Sequence, residues 1–187
     1  VQELLASTDA KWVECIDGRQ LKWGELDRSK PIRLYGLTDE WPLRKKNLEE
    51  FIATLPVKFR LRQTHGLHEY GYAGPSDGQV TLKDYFHGGP EMDQVVIFEN
   101  DFVGNVPILG REFSVPTVLK DVHGMPLFSA GRKNTGVGMH RHNENWLAQV
   151  YGRKAWFLSP NDPPLMVKAP WQILKAKLGN KLHACIV

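Results

Sequence analysis

Cysteine is scarce in this chain: Cys15 and Cys185 are the only two among 187 residues. One pair cannot form the framework of a disulfide-stapled domain, and two reduced thiols are expected. Long apolar runs are also missing, and no stretch approaches the roughly 20 residues of a membrane-spanning helix. Charge of one sign is lacking as well. The 24 Lys and Arg stand against 21 Asp and Glu, a net charge of +3. With no basic run, that balance gives no nucleic-acid signal. No internal repeat or low-complexity tract occurs. The opening "VQELLASTDAKW" lacks the basic and then apolar regions of a signal peptide. It also begins without Met, so a mature form or an excised fragment is expected. Such a chain is expected to be soluble, in the cytoplasm or nucleus, or in the endoplasmic reticulum lumen if a signal peptide was removed.

What is present suits one core. Hydrophobic residues make up 42%, and six Trp, eight Phe and five Tyr are spread along the chain. The length suits a single domain. "KPIRLYGL" (30–37) reads as a strand with Pro31 at its start. Asn47 is an N-cap for a helix carrying Leu48, Phe51, Ile52 and Leu55 on one face, and Pro56 stops it. "VKFRLRQTH" (57–65) alternates Val57, Phe59 and Leu61 with Lys58, Arg60 and Arg62, as in a strand with one wet face. "AGPSDG" (73–78) is a turn cluster. "TLKDYFHGG" (81–89) predicts a short helix capped by Thr81. "QVVIFEN" (94–100) is a continuous apolar run, expected as a buried strand. "PLFSAGRKNTGVG" (126–138) is a strand leading into a glycine-rich bend. "WLAQV" (146–150) and "RKAWFL" (153–158) predict a hairpin about Tyr151-Gly152, ended by "NDPP" (161–164). "WQILKAKLG" (171–179) predicts a helix and "KLHACIV" a final strand. Helices near the flanks and strands from 94 onward suggest an α+β domain built on a β-barrel or jelly roll.

The chemistry gathers at "GMHRHNENW" (138–146). Side chains at i and i+2 of a strand share a face, so His140 and His142 would present two imidazoles together. Imidazole suits Fe, Zn, Cu or Ni, and a nearby carboxylate would complete a facial set for non-haem Fe(II). Glu144 continues the same face. The bland alternative is a solvated His-x-His pair, which is the commoner outcome for that signal alone.

The predicted hairpin adds a constraint. A two-residue turn at Tyr151-Gly152 pairs Val150 with Arg153 and Gln149 with Lys154. Lys154, Gln149, Leu147, Asn145 and Trp156 then share one side, and Arg153, Val150 and Ala148 the other. That sets a lysine among apolar side chains, where it needs an anionic partner. Two alternatives stay open: a lysine that snorkels to the rim, or a register slipped by one residue.

With these residues in place, the chain resembles the JmjC-domain and cupin-like family of Fe(II)- and 2-oxoglutarate-dependent oxygenases (dioxygenases). "KPIRLYGLTDEWP" (30–42) looks like the family's first strand and its "GL-x-x-x-W-P" turn. "VVIFEND" (95–101) is similar to the strand before the core. "FSAGRKNTGVGMHRH" (128–142) and "NWLAQVYGRKAWFLSP" (145–160) look like the metal-bearing strand and the hairpin after it. The resemblance implies a double-stranded β-helix (jelly roll, cupin-like). Residues 94–187 would form that core and 1–93 the N-terminal flanking part of a single 1–187 domain.

It also implies a site. His140 falls on the first iron ligand, and His142 stands where the family usually has Asp or Glu. A branch that includes a JmjC protein of the endoplasmic reticulum lumen carries His-x-His there. A shifted reading takes His142 and Glu144 as His-x-Glu. Lys154 matches the lysine that pairs with the distal carboxylate of 2-oxoglutarate. Asn145 matches a position near the other end of that co-substrate, and Thr135 is a weaker candidate. The family's distal histidine follows a "PGD"-type turn, and His183 is not at the matching place. The barrel is therefore expected to be incomplete at the C-terminus, with a homodimer covering its open edge.

The implied function is a 2-oxoglutarate-dependent oxygenase of protein hydroxylase or demethylase type, with a protein or peptide substrate. The alternative is a catalytically inactive cupin-like binding or scaffold protein with a degenerate metal site. A third reading places Zn or Ni on the histidines.

Overall fold

The computed structural model describes residues 11–22, 24–67, 73–100, 102–122, 124–133, 135–136, 143–158 and 183–186. Nine strands are found among them: β1 (Lys11–Trp12), β2 (Glu14–Asp17), β3 (Ile32–Tyr35), β4 (Lys58–Leu67), β5 (Ala73–Thr81), β6 (Val95–Asn100), β7 (Leu127–Ala130), β8 (Ala155–Leu158) and β9 (His183–Ile186). The α-helices are short: α1 (Leu48–Thr54), α2 (Leu82–His87) and α3 (Phe102–Asn105). The result is a mixed α/β fold with an antiparallel sheet and few helices. The chain divides into two compact units, one of Trp41–Ser114 with His123–His140, the other of Val1–Glu40 with Val115–Val122 and Arg141–Val187.

The first unit is built on a four-stranded antiparallel sheet in the order β5-β4-β6-β7. Along β4, Phe59 and Leu61 are buried while Lys58 and Arg60 are exposed, as the alternation predicts. Leu61 faces Ile97 of β6, and Ile97 faces Ala130 of β7. Phe128 lies 5.1 Å from Phe59, 6.3 Å from Phe51 and 6.3 Å from Phe102, measured between ring centroids. Aromatic rings at such separations prefer the tilted and edge-on arrangements seen here. Phe59, Leu82, Tyr85 and Ile97 are all at 0% exposure, so the core lies on this face of the sheet.

Two helices of this unit, α1 and α2, begin where the sequence places them. The Asn47 side chain accepts from the Glu50 amide at 2.9 Å, and the Glu50 carboxylate accepts from the Asn47 amide at 2.8 Å. This reciprocal pair satisfies two donors that the first helical turn leaves unpaired. Phe51 and Ile52 of α1 and Leu55 just after it are buried, and Leu48 is half-buried. Thr81 Oγ1 accepts from the Asp84 amide at 3.1 Å and starts α2.

The expected turn at 73–78 is instead part of β5. This strand is at the edge of the sheet, where the N–H that Pro75 lacks is not needed for pairing. Register shifts between Arg60 and Arg62, and between Arg62 and Leu67, absorb its irregular residues. The four-stranded sheet spans residue 94. β4 and β5 precede it and β6 and β7 follow it, yet all lie in one sheet. Beyond 94 the chain also forms α3 and 3-10 turns at Leu109–Arg111 and Thr117–Leu119.

The second unit has smaller sheets. β2 and β3 pair in parallel, from Glu14 with Ile32 to Asp17 with Tyr35. β1, β9 and β8 form a three-stranded sheet in that order, with β1 and β9 parallel and β9 and β8 antiparallel. Exposed ion pairs edge this unit, such as Arg19 with Asp17 at 2.8 Å and Lys30 with Glu14 at 2.8 Å. Val118 and Leu119 supply buried apolar contact. The "NDPP" turn (161–164) and the predicted helix 171–179 lie outside the described residues. Among the described residues, no helix is long and apolar enough to cross a membrane.

Candidate functional site

The predicted site residues fall in three places. His140 and His142 lie outside the described residues, within 137–142. Glu144, Asn145 and Lys154 belong to the second unit, and Thr135 to the first.

The predicted hairpin does not form. Residues 145–150 carry no strand, and β8 takes β9 as its partner, with Trp156 opposite Cys185 and Phe157 opposite Ala184. The turn itself is where the sequence puts it, with Gly152 at φ +72, a left-handed conformation that favours glycine. Ahead of it, Gln149 Nε2 donates to the Tyr151 carbonyl at 2.6 Å. That side-chain bond answers a backbone acceptor that a ladder would otherwise take. Leu147 is exposed at 41%, outside the apolar surroundings expected for it. The grouping of Lys154 with Trp156 survives, because it rests on i, i+2 spacing within one segment and not on a cross-strand register.

Lys154 is half-buried, and its Nζ lies 4.2 Å from the centroid of the Trp156 ring. Burial pushes its ammonium below the ordinary lysine range. No counter-ion to it occurs among the described residues. A desolvated ammonium without an anion fits an incoming carboxylate, which would restore the stabilisation lost with water.

Glu144 is placed differently. Its Oε1 lies 3.4 Å from Arg28 Nη1, and its side chain is 54% exposed. Arg28 also donates through Nη2 to Asp121. The bond to Asp121 does most to hold the guanidinium charged, with a smaller contribution from Glu144. Glu144 thus already has a cation, and serving a metal would mean exchanging it. Asn145 is exposed. Among the described residues, no cluster of three or more His, Cys, Asp or Glu is arranged to hold a metal.

Thr135 belongs to a partly buried polar network that sequence reasoning missed. Its Oγ1 donates to the Arg132 carbonyl at 2.7 Å, and its amide donates to the same oxygen at 3.1 Å. The Tyr85 hydroxyl donates to the Val95 carbonyl at 2.8 Å and accepts from the Arg132 amide at 3.2 Å. Burial raises the Tyr85 pKa, opposed by its bonds with Arg132 and Thr135. The Arg132 side chain reaches the carbonyls of Gly88 and Gly89 through Nη1, at 3.1 and 2.8 Å. Its Nε lies 3.0 Å from Asp93 Oδ1. Gly131 permits this closure, since a Cβ there would stand 2.7 Å from Thr135 Oγ1. Arg132 is thus tied to Tyr85 of α2, to the glycines after it and to Asp93 just before β6, and Thr135 is tied to Arg132.

A second missed group is Glu99, 4% exposed on β6. It sits opposite Phe128, and its Oε2 accepts from the Arg60 amide at 3.3 Å. Its place inside an apolar run hid it. The signal was a carboxylate in a strand otherwise suited to full burial.

No family model matches the chain. An arginine-specific demethylase of Arabidopsis thaliana, JMJ22, is 26% identical over 161 residues, covering 76% of this chain and 29% of that protein. The chain therefore spans less than a third of that relative's length. The likeness supports a JmjC-like lineage, in line with the string at 145–160.

Proposed function

We propose that the chain carries the co-substrate side of a JmjC-type Fe(II)- and 2-oxoglutarate-dependent oxygenase site, on a jelly-roll framework. The observation that carries this reading is Lys154: a half-buried ammonium over Trp156, with no anion beside it among the described residues. Lys154 would bind the distal carboxylate of 2-oxoglutarate, orient the co-substrate and close its charged end from water. His140 and His142 would hold the metal, as borderline donors suited to iron. The pairing of Glu144 with Arg28 supports His142 over Glu144 as the second ligand. Asn145 would approach the other end of the co-substrate. Bound Fe(II) with 2-oxoglutarate and O2 would supply oxidation of a C–H bond, with release of succinate and carbon dioxide. A protein or peptide side chain is the proposed substrate class. The demethylase relative, by its name, acts on arginine.

A second reading has one observation in its favour. Because Glu144 is engaged by Arg28, the motif offers no free in-line carboxylate, as in a binding protein with a degenerate metal site. Metal content measured together with succinate formation separates the two. Stoichiometric iron and succinate release, both lost in His140→Ala, support the oxygenase. Sub-stoichiometric iron without turnover supports the binding protein.

A further inference from the structure

A lysine ammonium ends a flexible four-carbon stem, so a binding site built on it needs something to hold its direction. Here the Trp156 ring lies 4.2 Å from Nζ. Trp156 belongs to β8 and is held in register opposite Cys185 of β9, whereas Lys154 precedes the strand. The ring is thus the fixed member of the pair and the ammonium the mobile one.

We propose that Trp156 is a positioning residue, which holds the Lys154 ammonium against its face and so sets the site's selectivity for a carboxylate. This rests on the reading of Lys154 as the co-substrate anchor. The face of an indole is electron-rich and attracts a cation. It does so without accepting the ammonium's N–H groups as an aspartate or glutamate would, so the donors stay available for an incoming anion. An acidic partner at the same place would neutralise the charge and compete with the ligand. An aromatic one stabilises the charge and leaves it unanswered. Among the described residues no counter-charge offsets the burial of Lys154, which lowers its basicity.

The test is a double-mutant cycle read by calorimetric binding of 2-oxoglutarate to the chain, comparing wild type, Trp156→Leu, Trp156→Phe, Lys154→Met and the Trp156→Leu/Lys154→Met pair. Trp156→Leu should weaken binding about tenfold, the size of a desolvated cation–aromatic contact, with Trp156→Phe between it and wild type. In the Lys154→Met background, Trp156→Leu should change affinity by less than about twofold, because its effect passes through the ammonium. Full additivity, or a wild-type affinity in Trp156→Leu, overturns the role of Trp156 and leaves the Lys154 anchor standing. No 2-oxoglutarate binding by wild type overturns the anchor, and this proposal with it. A measurement on wild type alone covers variants that fail to fold. The ε-methylene protons of Lys154 should be shifted upfield by the indole ring current, and should move on adding 2-oxoglutarate. Ordinary lysine positions for those protons overturn the proposal.

Discussion

The two units hold Tyr85 and Lys154 in opposite ways. In the unit of Trp41–Ser114 with His123–His140, the fully buried Tyr85 hydroxyl is answered on both sides, by the Val95 carbonyl and the Arg132 amide. The Arg132 side chain there is spread over two carbonyls and Asp93. In the other unit, ionic groups pair at the surface, and half-buried Lys154 meets an aromatic ring and no anion among the described residues. The first pattern is that of a scaffold, whose polar network is closed within the protein. The second is that of a binding position, where charge is held at some cost in stability until a ligand arrives.

The contrast is sharpest in stability. Phe59→Ala removes a ring at 0% exposure that packs against Phe128. It should destabilise the chain by about 3–5 kcal/mol, measured by urea unfolding. A loss below about 1 kcal/mol would mean that the sheet face is not the core. Next comes Tyr85→Phe, which deletes only the hydroxyl and leaves the Val95 carbonyl without its donor. The expected cost is about 1–3 kcal/mol, with faster hydrogen exchange at the Arg132 amide.

The remaining expectations concern the other unit and are smaller. Lys154 loses its proton at lower pH in the folded chain than in the unfolded one, whose reference value is 10.5. Between these two values the unfolded chain binds more protons, so stability should rise with pH through that window. The contribution is lost again as pH falls through the folded value. The slope should vanish in Lys154→Met, and a slope unchanged in that variant would assign the titration to another group. Smallest of all, Arg28→Ala should leave the urea midpoint within experimental error, because its bonds to Asp121 and Glu144 are partly exposed and screened by solvent. A clear drop would show that this unit also depends on a closed polar network.

Short-range signals in the sequence foretell local structure. Asn47 announces the start of α1, and the alternation of β4 needs only its own side chains. What failed was the choice of partner. The sequence predicts that 146–150 pairs with 153–158, but β8 pairs with β9, about thirty residues further along. The Gly152 turn was legible, yet a turn does not oblige its flanks to pair. Pro75 and its glycines spelled a turn because the edge position that tolerates them in β5 is set by the whole sheet. The candidate site divides along the same line. Lys154 beside Trp156 follows from spacing within one segment. The Tyr85–Arg132–Thr135 network joins residues 47 apart in the chain and left no local pattern to read.

The claim that Lys154 answers a carboxylate is tested most directly by calorimetric titration of 2-oxoglutarate into wild type and into Lys154→Met. The account predicts saturable binding by wild type, weakened by at least about tenfold when the ammonium is removed. Equal binding by both chains, or binding by neither, would contradict it.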